Sequence, residues 1–173
     1  GAFDPSRLLD LAFDYTAFEM ADGVVKSKKL AGYHQFHAVR RALTSTVKAA
    51  GEGGHRKGGV IWHTQGSGKS ILMVLLAKWI LERDPDARVL IVTDRDELDK
   101  QIEGVMRDAG VLGADAPSPR VTSRQEFEQK LTAPKPRLMC ALIHKFQLDF
   151  KAPPPAVHGR FYIFVDECHR TQS

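Results

Sequence analysis

Eight consecutive residues, His63-Thr64-Gln65-Gly66-Ser67-Gly68-Lys69-Ser70, constrain this chain more than any other stretch. A short apolar run, Val60-Ile61-Trp62, leads in, and a longer one, Ile71 to Leu81, leads out. The first reads as a strand and the second as a helix, so the eight residues form the turn between them. Glycines in such a turn let backbone N–H groups approach an anion, and the helix N-terminus adds partial positive charge. Gly-Ser-Gly-Lys-Ser at this junction is the arrangement that cradles nucleotide phosphates. Gly66, Ser67, Gly68, Lys69 and Ser70 are the candidate triphosphate-binding residues. Lys69 is expected to reach the β and γ phosphates, and the Ser70 hydroxyl to hold magnesium. The strict pattern asks for glycine at the first position, where this chain has His63. That departure tells against a kinase or a small GTPase.

The remaining pattern alternates helix and strand. Leu8, Leu11 and Tyr15 fit one face of a short helix near the N-terminus. Gly23 to Lys29 reads as a basic turn or hairpin, and a solvated turn is the simpler reading of its three lysines. Phe36, Val39, Leu43 and Val47 make one stripe of a helix over about 33–50. Residues 51–59 hold five glycines and read as a loop. A helix over 69–83 stops at Asp84-Pro85-Asp86. The continuous apolar run Arg88 to Val92 fits a parallel strand covered on both faces. A helix bearing Leu98, Ile102, Val105 and Met106 follows, capped by Asp94 or Asp96 and closed by Gly110. Ser123 with Glu126 reads as a capping box for a short helix. Leu138–Ile143 and Phe161–Val165 are two further apolar strands, with a proline-rich segment, 151–155, between them. Such alternation predicts an α/β fold: a three-layer domain with a mostly parallel sheet. Ligands in these sheets bind beyond the carboxyl ends of the strands, where His63, Thr93, His144 and Asp166 fall.

With 173 residues the chain is long enough for one substantial core. Its formal charge of +4 permits a nucleic-acid partner without requiring one. Cys140 and Cys168 form no metal-spaced pair and fit a reducing, cytoplasmic setting. No apolar run is long enough to span a membrane. A zinc site from His63, His144, Cys168 and His169 matches no zinc spacing.

The second chemical feature is the end of the last strand, Asp166-Glu167-Cys168-His169. Two carboxylates there, downstream of a phosphate loop, suit nucleotide hydrolysis: Asp166 holds magnesium directly or through water, and Glu167 orients and deprotonates the attacking water. Taken alone, the pair reads more simply as an acidic cap on a following helix; the phosphate loop upstream is what favours the hydrolytic reading. Cys168 reads as a small packing residue, and His169 either senses the γ-phosphate or bonds a neighbouring loop. Gln35 stands near the start of the second helix. Its amide can pair with an adenine edge, or it is simply a surface glutamine.

Gln35, HTQGSGKS (63–70), VLIVTDRDELDKQI (89–102), ALIHKF (141–146) and FVDECH (164–169) stand in the order found in the first motor domain of superfamily 2 helicases, whose phosphate loops tolerate a varied first position. More narrowly, YHQFHAV (33–39) followed by GVIWHTQGSGKS (59–70) resembles the restriction (R, HsdR) subunit of type I restriction–modification enzymes. The resemblance implies a RecA-like P-loop ATPase domain over 33–173, after a connecting segment at 1–32. It implies ATP and Mg2+ as cofactors, with ATP hydrolysis coupled to translocation of double-stranded DNA before cleavage. It also implies methylation and specificity subunits as partners, and a bacterial or archaeal cytoplasm. Under it, Gln35 reads adenine, and Lys69 and Glu167 are catalytic. Thr93 and Arg95 after the second strand, and His144 and Lys145 after the third, lie where such motors track the DNA backbone. DECH stands where DEAH is commoner, and His144 stands where a Thr/Gln pair is frequent. No nuclease motif is identifiable before residue 30. The strand that normally lies between the phosphate-loop strand and the DECH strand has no counterpart in the sequence. The expectation is therefore a sheet incomplete at its centre, with Val60–Trp62 and Phe161–Val165 not directly paired. Another superfamily 2 DNA helicase or translocase is the alternative, as is a nucleotide-binding module without turnover when the segment stands alone.

Overall fold

A computed structural model describes residues 4–21, 24–64, 66–93, 96–108, 111–113, 115–142 and 156–166. The chain divides into two compact units, Gly1–Trp79 with Asp108–Leu112, and Ile80–Arg107 with Gly113–Ser173.

In the first unit, helix α1 spans Pro5–Phe13. The Asp4 carboxylate caps it by accepting from the Ser6 and Arg7 N–H groups, and proline occupies the first turn, where its missing N–H costs nothing. The Thr16 hydroxyl donates to the Leu11 carbonyl at 2.8 Å and closes the helix. The helix thus ends before Tyr15, which is buried against the Phe36 ring at 4.6 Å. Strand β1, Thr16–Ala21, pairs antiparallel with β2, Val24–Leu30, with a bulge between Glu19 and Met20. The basic stretch is one arm of a hairpin rather than a solvated turn. Its lysines lie on an exposed strand, and Lys28 lies over Phe18, its cross-strand partner.

Helix α2, Tyr33–Ala50, occupies the expected range. Phe36, Val39 and Leu43 are buried, whereas Val47 is exposed and Ala49 takes the buried place in the last turn. Residues 54–64 form no regular element. The expected strand at Val60–Trp62 is therefore absent. A strand persists only if a neighbour takes its N–H and C=O groups, and no described segment pairs with this one. Val60 and Trp62 are accordingly exposed. Helix α3, Lys69–Arg83, starts where the glycine turn ends. Residues Leu72 to Ala77 are all buried, the signature of an interior helix.

The second unit holds β3 (Ala87–Thr93), α4 (Asp96–Asp108), β4 (Arg120–Val121), α5 (Arg124–Thr132), β5 (Leu138–Leu142) and β6 (Arg160–Val165). The strand order is β4-β5-β3-β6, and every pairing is parallel, as the sequence predicts. Strand β4, two residues long between α4 and α5, is an addition to the strands expected from the sequence. Val89 and Ile91 are as fully buried as Leu90, so both faces of β3 are covered. On one face Leu90, Met139, Ala141 and Val121 pack with Leu131 and Phe127 of α5. The two apolar strands and the stripe of α5 therefore make one core. Ile102 and Met106 of α4 are buried as expected, while the side chain of Leu98, together with Asp94 and Gly110, lies outside the described residues. Ser123 caps α5 by accepting from the Glu126 N–H. The reciprocal half of the box is replaced: the Glu126 carboxylate accepts from the N–H and hydroxyl of Thr122 instead.

Arg88 is the largest fully buried side chain of this unit. Its five N–H groups meet five carbonyl contacts: Nε and Nη2 to Pro136, Nη1 to Leu131 and His158, and Nη2 to Lys130. The guanidinium also lies over the Phe161 ring at 4.7 Å. Burial lowers its pKa from the usual arginine value, but the carbonyl collar replaces the lost water bond for bond.

Candidate active site

The phosphate loop is built by the first unit alone. Gly66 and Gly68 both take φ of +79°, a left-handed backbone that favours glycine. The Ser67 N–H donates to the Thr64 carbonyl at 3.3 Å and tightens the turn. Lys69 and Ser70 are the first two residues of α3, so they share the turn whose N–H groups lack intrahelical acceptors. The Ser67 Oγ and the Nδ1 of His63 are buried and meet no hydrogen-bond partner among the described residues. A buried hydroxyl without a partner is costly. Beside a helix N-terminus it is satisfied by the oxygens of an anion, so these residues fit a bound phosphate.

Gln35 is 8% exposed and belongs to the same cradle, not to the surface. Its Oε1 accepts the Gly32 N–H at 2.8 Å, tying down the N-terminus of α2. Its Nε2 donates to the Ser67 carbonyl at 3.0 Å, inside the loop. A Cβ on Gly68 would collide with that Nε2. Gly68 is thus required twice, for its φ and for the approach of Gln35. One N–H and one oxygen lone pair of the Gln35 amide remain, the kinds of group needed to pair with a base edge.

His34 reaches the same carbonyl, with Nε2 3.2 Å from the Ser67 oxygen, and its ring lies 5.7 Å from that of His63. Sequence reasoning missed this contact. The available signal was only that His34 adjoins Gln35 on the first turn of α2.

In the second unit, Thr93 and Asp166 stand at the carboxyl ends of neighbouring parallel strands, and the Asp166 N–H donates to the Val92 carbonyl at 3.0 Å. Asp166 is half-buried. Thr93, one of the candidate DNA contacts, is 1% exposed in this structure. Its hydroxyl is committed to the interior because β3 is the central strand. Gln65, Arg95, His144, Lys145, Glu167, Cys168 and His169 lie outside the described residues. The hydroxyl of Ser70 and the carboxylate of Asp166 are the oxygen donors that a hard divalent cation prefers. Among the described residues no cluster of three or more His, Cys, Asp or Glu side chains is placed to hold a metal by itself.

A model of the SWI2/SNF2 ATPase family matches residues 34–173. The type I restriction enzyme HindI endonuclease subunit of Haemophilus influenzae is 37% identical, over 99% of this chain and 17% of that subunit. The putative type I restriction enzyme MjaIXP endonuclease subunit of Methanocaldococcus jannaschii is 30% identical, over 99% of this chain and 16% of its own length. A type I restriction endonuclease subunit of Staphylococcus saprophyticus is 24% identical over 97% of the chain. The chain spans about a sixth of the length of these curated relatives.

Proposed function

Because the chain belongs to the SWI2/SNF2 ATPase family, we propose that it is the ATP-driven motor segment of a type I restriction endonuclease R subunit, coupling ATP hydrolysis to translocation of double-stranded DNA before cleavage. One observation carries the nucleotide site. Two left-handed glycines open α3, and Gln35 is hydrogen-bonded into the loop between them. The candidate base-reading side chain and the phosphate cradle are thereby joined by a hydrogen bond from α2 into the loop. The likeness to restriction endonuclease subunits across nearly the whole chain supports the assignment to that system.

In this reading the N–H groups at the start of α3 and the Lys69 ammonium bind the β and γ phosphates. Gln35 spends its remaining donor and acceptor on adenine. Ser70 and Asp166 are the residues that would hold Mg2+, which would supply neutralisation of the phosphate charge there. Glu167 takes the proton of the attacking water. Arg95, His144 and Lys145 are the candidate contacts to the DNA backbone, and methylation and specificity subunits are the candidate partners. The motor domain is placed at 33–173, with 1–32 as a connecting segment.

Lys69→Ala in the intact protein tests the site. It is expected to lower ATP affinity at least tenfold and to abolish DNA-stimulated ATP hydrolysis, read by nucleotide titration and phosphate release. Unchanged ATPase activity would remove the phosphate loop from the mechanism. ATP hydrolysis without DNA translocation in the unmodified protein would reduce the motor to an ATPase of another kind.

A further inference from the structure

We propose that His34 is a positioning residue for the phosphate loop, acting on the Ser67–Gly68 peptide independently of the nucleotide base. The inference rests on the phosphate-loop reading above and adds a residue to it.

The Ser67 carbonyl receives two side-chain nitrogens, Gln35 Nε2 at 3.0 Å and His34 Nε2 at 3.2 Å. A carbonyl oxygen only accepts, so the His34 Nε2 carries a proton and donates. Two donors fill both lone pairs of that oxygen. In a planar trans peptide, the C=O and the following N–H point in opposite directions. Fixing the Ser67 carbonyl toward the first turn of α2 therefore turns the Gly68 N–H away from α2. That N–H is the last one before α3 begins at Lys69. The orientation of this single peptide decides whether the loop offers a donor or an acceptor to an incoming phosphate.

The two donors differ in what else they do. Gln35 also accepts the Gly32 N–H and has a base to read, so its hold on Ser67 is shared with other work. His34 is exposed, and the Ser67 carbonyl is its only hydrogen-bond contact among the described residues. When Gln35 adjusts to a base, His34 keeps the peptide in register. Room for the ring is provided by Gly32: a Cβ there would come within 3.2 Å of the His34 Cε1 and 3.4 Å of its Nδ1. Each donor to Ser67 is therefore seated against a glycine, His34 on Gly32 and Gln35 on Gly68.

The test is nucleotide titration of the intact protein with ATP and with a triphosphate carrying another base. The variants are His34→Ala, His34→Phe and His34→Gln, with Gln35→Ala and Lys69→Ala as references. His34→Ala and His34→Phe are expected to weaken both nucleotides by the same factor, about three- to tenfold, as for one lost hydrogen bond. His34→Gln keeps an N–H donor and is expected to restore most of the loss. Gln35→Ala is expected to weaken ATP more than the other nucleotide. Full binding by His34→Phe would overturn the proposal, since packing of the ring alone would then suffice. Wild-type binding by His34→Ala would overturn it outright. If Lys69→Ala also bound like wild type, the phosphate-loop reading itself would be what failed.

Discussion

At the scale of single residues, Arg88 and Gln35 show how much a side chain's role depends on what reaches it from afar. In the sequence Arg88 is the charged first residue of an apolar strand. In the fold it is 1% exposed and fastened to four carbonyls contributed by residues 130–158. Nothing local announces this, because each acceptor is a main-chain oxygen that any residue type supplies. Arg88→Met is expected to strand those carbonyls and destabilise the protein by about 2–4 kcal/mol, measured from the urea midpoint. Arg88→Lys is expected to recover little, since three donors on a point charge cannot span a five-donor fork. A loss under about 1 kcal/mol for Arg88→Met would mean that water fills the collar. Gln35 is the opposite case. Its position before a phosphate loop is visible in the chain, and the fold adds that its amide is buried and hydrogen-bonded to the loop.

Among the elements, α2, α3, β3, β5 and β6 were legible because periodicity and length agree for them: long amphipathic or apolar runs with clear stops. The run at Val60–Trp62 has the same composition as a strand but lacks a described partner, and composition cannot supply one. Strand β4 failed in the other direction, being two residues in a loop-like context recruited by the edge of β5. Helix α5 carries a prediction of its own. Glu126 accepts from the Lys130 ammonium at 2.6 Å and from the N–H and hydroxyl of Thr122 at 2.8 and 2.7 Å. The Lys130 hydrogen bond first, then those of Thr122, hold its carboxyl at about 2, below the ordinary 4.5. A depressed carboxylate stabilises the fold fully above pH 4.5 and progressively less as pH falls toward 2. The side chain is partly exposed, which screens the pair and limits its contribution to about 1 kcal/mol. Glu126→Gln is therefore expected to lower the Tm by a few degrees at pH 7, with the gap to wild type closing below pH 4.5. A gap that stays constant across this range would place the stabilisation elsewhere.

For the whole molecule, the alternation of helices and apolar strands was enough to predict an α/β fold with a mostly parallel sheet, and the order of motifs was enough to point to type I restriction subunits, with which the chain aligns along nearly its whole length. What the chain could not disclose is which carbonyls and amides close the cradle, since those depend on backbone direction. The proposed roles of the phosphate loop and of Glu167 can be separated by mutation. Glu167→Gln in the intact protein is expected to leave ATP binding within about threefold while slowing hydrolysis by at least about a hundredfold, as for loss of a general base. Binding measured by titration and phosphate release measured under single turnover separate the two. Weak binding instead would move Glu167 to the metal.

The two left-handed glycines of the loop are unequal before mutation. At Gly66 an added Cβ would meet no atom of the chain, so within the protein itself a substitution meets the backbone penalty alone. At Gly68 an added Cβ would meet the Gln35 amide as well, so a side chain there displaces the flexible end of Gln35 from the Ser67 carbonyl. One missing methyl group thus keeps two distant stretches of the chain, α2 and the loop, in register.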